Sequence, residues 1–146
     1  MQKDISCRLT SVVLKYIERE KGRDGVDEYV NKIGLSEEYL NDHHNWLSFD
    51  TYTKQFEYAV EILGDKDAPF KIGISSGERG NVGAVFVFVR GLANPYMAYR
   101  LLKEIQNRFS RATKVDLLHL DNNRALIKSI ATHGHRMTKE ACDFRK

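Results

Sequence analysis

The feature that most constrains this chain is a change of hydrophobic period along its length. Ile5, Leu9, Val12, Val13, Tyr16 and Ile17 recur at helical spacing, with Arg8, Lys15, Glu18 and Arg19 between them. A period of about 3.6 residues marks one buried face of a helix, and Gly22 supplies its end. From residue 113 the pattern alternates instead. Val115, Leu117 and His119 exchange with Lys114, Asp116 and Leu118; Ala125, Ile127 and Ser129 exchange with Leu126, Lys128 and Ile130. Alternation of period two is the mark of a strand. Asp121-Asn122-Asn123-Arg124 between the two runs is a turn, because asparagine tolerates the left-handed conformation that short hairpins need. A chain with both periods folds as an α+β domain: a mostly helical N-terminal half packed on a small antiparallel sheet that contains the 113–132 hairpin.

Capping residues divide the helical half. Asp24 is expected to open a second helix that buries Val26, Tyr29, Val30 and Ile33 and stops at Gly34. Ser36-Glu37-Glu38 opens one more turn, to Leu40. Asn41 to Asn45 is a polar loop. Ser48 caps a helix whose apolar face is Phe49, Tyr52, Phe56, Ala59, Val60 and Leu63, with Gly64 as the stop. Pro69 is placed to be the first residue of a short helix through Ile74, and Ser75 to Asn81 is the most loop-like segment. Val82 to Val89 stays open, since β-branched residues favour a strand while a buried helix carries the same apolar run. Asn94-Pro95 starts a helix reaching Phe109.

A length of 146 residues fits one domain, 1–146. A lone two-stranded hairpin is marginal unless it packs on helices or gains strands. With the helix begun at Met137 and cut at Lys146, this makes the chain read as a fragment of a longer protein. Without the roughly 18 unbroken apolar residues a membrane span needs, and without a secretory leader, the expectation is a cytoplasmic domain that does not enter a membrane. Cys7 and Cys142 are two isolated thiols near opposite ends, expected to be free although a disulfide between them stays open.

Charge is uneven. The net +3 divides into −4 over residues 1–73 and +7 over 74–146. The basic half could face a polyanion, but Arg100, Glu104 and Arg108 share one helical face and partly neutralise each other. No helix-turn-helix spacing or aromatic-plus-basic strand motif accompanies them. Nucleic acid is therefore not the expected partner.

Metal, phosphate and nucleophile signatures fail in turn. The five histidines and two cysteines form no Cys-x-x-Cys or His-Glu-x-x-His spacing. His133, His135 and Cys142 are the one conceivable zinc set. The Tyr-x-Ser-x-Arg signature that would give His43 or His44 a haem role is missing. Gly73 to Gly80 lacks the Gly-Lys-Ser/Thr ending of a phosphate loop, and no nucleophile elbow exists. No catalytic residue and no cofactor are assigned, and the domain is not read as an enzyme. What the aromatics allow is an apolar pocket with polar tips. Trp46, Tyr52, Phe86, Tyr96 and Tyr99 are its candidate ligand-binding residues, taken from a larger set with Phe49, Phe56 and Phe88 that serves equally well as core.

Two blocks carry a family resemblance. The first is GLSEEYLNDHHNWLSFDTYTKQFEYAVEILGDKDAPFKIG (Gly34–Gly73): helix, polar loop, Trp, Ser-capped helix, Leu-Gly-Asp, short helix. The second is ANPYMAYRLLKEIQNRFSRATKVDLLHLDNNRALIKS (Ala93–Ser129), a Pro-started helix feeding a hairpin. Together they resemble the N-terminal sensory domains placed ahead of bacterial histidine kinases and nucleotide cyclases, related to vinyl-reductase-like ligand-binding domains. The first block also resembles the effector-binding domain of AraC-type regulators. The resemblance implies a signal-input module for a small molecule, with an output domain downstream, and transfers no functional residue. Its alternative is an effector-binding or DNA-binding module of a transcription regulator. Such modules often pair, and the Ile5–Ile17 stripe is either a pairing surface or core.

Overall fold

Ser6 ends one element and starts the next. The computed structural model describes residues 3–76, 106, 108–121, 124–132, 134 and 138–140. Ile5–Ser6 is a two-residue strand, β1. The Ser6 side chain, on extended backbone, then accepts from the Arg8 N–H to open α1, Cys7–Ile33. Helix was expected from Ile5. Long-range backbone pairing holds Ile5 extended instead, so the cap falls to Ser6.

Gly22 breaks α1 at φ 67° and ψ −155°, a conformation essentially open only to glycine. The glycine expected to separate two helices does so: α1 is two helical runs that meet at a kink there. Asp24, expected to cap the second helix, lies just after the kink and is itself helical. Gly34, at φ 69°, closes α1 by donating to the Val30 carbonyl. Ser36 then accepts from the Tyr39 N–H and opens α2, Glu37–Asn41.

Trp46–Leu47 form β2. Ser48 accepts from the Thr51 N–H to start α3, Phe49–Leu63, and Gly64 at φ 65° ends it. The helix α4 spans Ala68–Ser76, so Pro69 stands second in the helix and not first. Ser75 and Ser76, expected in a loop, stay helical. Their hydroxyls donate back to the carbonyls of Ile72 (2.9 Å) and Gly73 (2.6 Å).

The hairpin forms as expected, from β3 (Thr113–Leu120) and β4 (Ala125–Ala131). It is antiparallel, in register from Thr113 opposite Ala131 to Leu120 opposite Ala125. Strict alternation does not survive along β3. A bulge between Leu117 and His119 inserts one residue and leaves Leu118 58% exposed. Asp121 closes the turn with its N–H to the Arg124 carbonyl (3.0 Å) and its carboxylate under the Arg124 N–H (2.7 Å).

β1 joins the two halves. On one side it pairs antiparallel with β2, Ile5 opposite Leu47 and Ser6 opposite Trp46. On the other, Ser6 donates to the Phe109 carbonyl (2.8 Å) and the Arg111 N–H donates to the Asp4 carbonyl (2.7 Å), around a bridge between Ile5 and Ser110. The chain from 109 runs on into β3, and Thr132 donates to the Ala112 carbonyl (2.7 Å) at the far end of β4. The hairpin is therefore tied at its base to a short ladder that passes through β1. That supplies the extra pairing a lone hairpin lacks.

The core lies between α1 and α3. Val13, Ile17, Phe56 and Ala59 are completely buried, with Tyr29, Leu40, Phe49 and Tyr52 almost so. The Ile5–Ile17 stripe resolves as core: Ile5, Val13 and Ile17 are 0% exposed. The fold is α+β. Among the described residues no helix is long and apolar enough to cross a membrane.

Candidate functional site at the joint between helices and hairpin

Trp46 and Tyr52 occupy different surroundings. Tyr52 is 1% exposed, its ring edge-on to Phe56 at 5.3 Å and tilted against Phe49 at 6.2 Å. It sits inside the core. Trp46 is half-buried on β2, and the guanidinium of Arg111 lies over its ring, 4.6 Å from the centroid. Phe86, Tyr96 and Tyr99 lie outside the described residues, as do Phe88, the segment 82–89 and most of the helix expected from Asn94 to Phe109.

Local bonds hold Trp46 in place. The Asp42 carboxylate accepts from the His44 N–H (2.9 Å) and faces its Nδ1 (3.1 Å), which holds the Asp42 carboxyl below its usual range. Asn45 donates its side-chain amide to the Tyr39 carbonyl (3.1 Å), and the Tyr39 hydroxyl donates to the Trp46 carbonyl (2.9 Å). The polar loop that reads as featureless in sequence is thus a turn that fixes the indole at the edge of the ladder.

Asp4 ties the joint together. It is 4% exposed. Its N–H donates to the Leu47 carbonyl (3.0 Å) and its carbonyl accepts from Arg111. Its Oδ2 accepts from the Phe49 N–H at the start of α3 (3.0 Å), where a carboxylate meets the positive end of the helix. One residue therefore holds β2, α3 and the approach to β3 in register. Nothing in the sequence pattern singled out Asp4, and Arg111 stood out only as one of the basic residues Arg100, Lys103, Arg108, Arg111 and Lys114 on or just after one expected helix. Their roles arise from pairings of high sequence separation.

A second polar group is buried between α1 and α3. The Tyr29 hydroxyl donates to Gln55 Oε1 (3.1 Å), and Gln55, 0% exposed, has no hydrogen-bond partner for its Nε2 among the described residues. Burial pushes the Tyr29 hydroxyl far above its ordinary range. The nearby Cys7 is a buried free cysteine, and burial pushes its thiol up as well. It is held as the thiol, the poorly nucleophilic form. Cys142 lies outside the described residues.

No group of three or more potential metal ligands occurs among the described residues; His133, His135 and Cys142 are outside them. An open depression lined by Ser36, Glu37, Glu38 and Asn41 contains none of the expected aromatic residues. A feature with recognition chemistry is the indole–guanidinium pair, in which the cation meets the negative face of the ring; Arg19 stands over the Tyr16 ring in the same way, also at 4.6 Å. The Trp46–Arg111 pair joins a side chain from the helical half to one from the base of the hairpin. Comparison with known proteins finds no matching family model, no matching curated protein and no matching solved structure.

Proposed function

We propose that the chain is a cytoplasmic signal-input domain that takes a small apolar or aromatic ligand at Trp46 and relays its binding to an attached output domain. The observation that carries this reading is the Arg111 guanidinium over the half-buried Trp46 ring. That contact crosses the joint between the helical half and the hairpin. A ligand that meets the indole with different affinity when Arg111 is stacked or displaced shifts the balance between two arrangements of the joint. The displacement reaches the hairpin through the backbone, because Arg111 is held to Asp4 and runs directly into β3. The buried free thiol of Cys7 suits a reducing compartment. The resemblance to sensory domains of bacterial signalling proteins suggests a sensor histidine kinase as the output.

Trp46 is the sole tryptophan, so its emission reports the site directly. Titration with neutral aromatic and alicyclic alcohols is expected to give a saturable change in emission, with altered amide hydrogen exchange at residues 109–113. Flat emission throughout the panel, or a change in emission with exchange at 109–113 untouched, overturns the reading.

A further inference from the structure

We infer that the ligand taken at Trp46 carries a carboxylate, anchored by the guanidinium of Arg111; the inference rests on the reading of Trp46 as the ligand face. Three observations support it. First, the indole is the partner of the Arg111 side chain among the described residues, which place no carboxylate on it. Arg23, by contrast, engages both Asp27 and Glu37, and Arg19 engages Glu20. Second, two acids on the elements around the joint are already committed. Asp4 is buried with Oδ2 on the Phe49 N–H, and Asp42 is held by His44. Among the described residues the cation thus has no hydrogen-bonding partner for its fork.

Third, the fork is preorganised. The Arg111 backbone is fixed by its N–H to Asp4 (2.7 Å), and its guanidinium carbon lies 4.6 Å from the centroid of a ring whose own backbone is held by β1 and by Tyr39. Less rotamer freedom is then lost when an anion docks. A planar guanidinium offers paired N–H donors that match the two oxygens of a carboxylate. The indole beside it offers apolar surface for the rest of the ligand. One arginine fits a single acid group better than a phosphate, which ordinarily draws on several converging donors.

The test compares phenylacetate, 2-phenylethanol and inorganic phosphate by Trp46 emission, reading the apparent Kd and not the amplitude. It uses the wild-type chain, Arg111→Gln and Arg111→Lys, with thermal melting to confirm that each variant folds. Phenylacetate is expected to saturate, with 2-phenylethanol about tenfold weaker and phosphate without effect. Arg111→Gln should weaken phenylacetate about tenfold relative to 2-phenylethanol, so that the acid loses its advantage over the alcohol, and Arg111→Lys should fall between, since lysine keeps the charge without the fork. Equal binding of acid and alcohol, unaffected by Arg111→Gln, overturns the carboxylate and leaves the ligand reading standing. Phosphate binding equal to phenylacetate also overturns it. Silence from every aromatic probe overturns both.

Discussion

The helical half and the hairpin differ in how they treat apolar side chains. Between α1 and α3, Phe49, Tyr52 and Phe56 are closed off from water, with exposures of 1% or less. On the hairpin, Leu118, Leu126, Ile127 and Ile130 are 39% to 58% exposed. Both regions are rich in apolar residues, so composition does not separate them. Packing does: two helices bury a stripe against each other, while a two-stranded ribbon has too little surface to cover either of its own faces. Stability is therefore concentrated in residues 7–63, and the hairpin borrows order from the ladder at its base.

The largest expected effect tests this contrast directly. Phe56→Ala should cost roughly 3–5 kcal/mol in urea unfolding, whereas Ile127→Ala should stay within about 0.5 kcal/mol. Comparable losses at the two positions would mean that the hairpin is as closely packed as the helices, and the contrast would fail.

Asp4 sharpens the comparison, because it belongs to neither region and binds both. Asp4→Ala removes the buried acceptor of the Phe49 N–H and is expected to cost about 1–3 kcal/mol, while Asp4→Asn keeps an acceptor oxygen and should recover most of it. Hydrogen exchange at 109–113 should rise in the alanine variant. If it does not, the joint holds through backbone pairing alone.

What could be read from the sequence divides along the same line. Ser36, Ser48, Gly34 and Gly64 act within a turn of their own positions, so α2, α3 and the end of α1 were legible. The hairpin turn was equally local. β1 and β2 were not, since a two-residue strand is defined only by its partner some 40 residues away. Ile5 accordingly looked helical, and Trp46 looked like one wall of an aromatic pocket shared with Tyr52. Polar residues buried for a structural purpose, Asp4 and Gln55, interrupt apolar patterns and give no signal of their own. The bulge at Leu118 arises from pairing geometry, which a single-strand pattern does not record.

The smallest effect concerns charge. Glu37 is held below the usual carboxylate range by its hydrogen bond from Arg23, Asp42 by His44 and Asp65 by Lys71. Their contributions are present above the ordinary carboxylate pKa and are lost as pH falls through the lowered values. Lys32 and Lys71, raised by Glu61 and Asp65, lose theirs only when pH climbs through values above 10.5. Thermal midpoints should therefore be flat near neutrality and fall modestly between about pH 5 and pH 3, and less so at about 0.5 M salt. All of these pairs lie on the helical half.

The side chain of Gln106 has one more consequence. Its amide nitrogen donates to the Thr113 carbonyl, and its amide oxygen accepts from the Val115 N–H at 2.8 Å, as a neighbouring strand residue would. The first step of the outer rim of β3 is thereby occupied by a side chain, and the bulge after Leu117 disturbs the rim further along. Any foreign strand seeking to extend the sheet there would find only a few residues of regular backbone between the two obstacles. Among the described residues, the rim of a ribbon that shows so much apolar surface thus offers little regular backbone on which strands could stack.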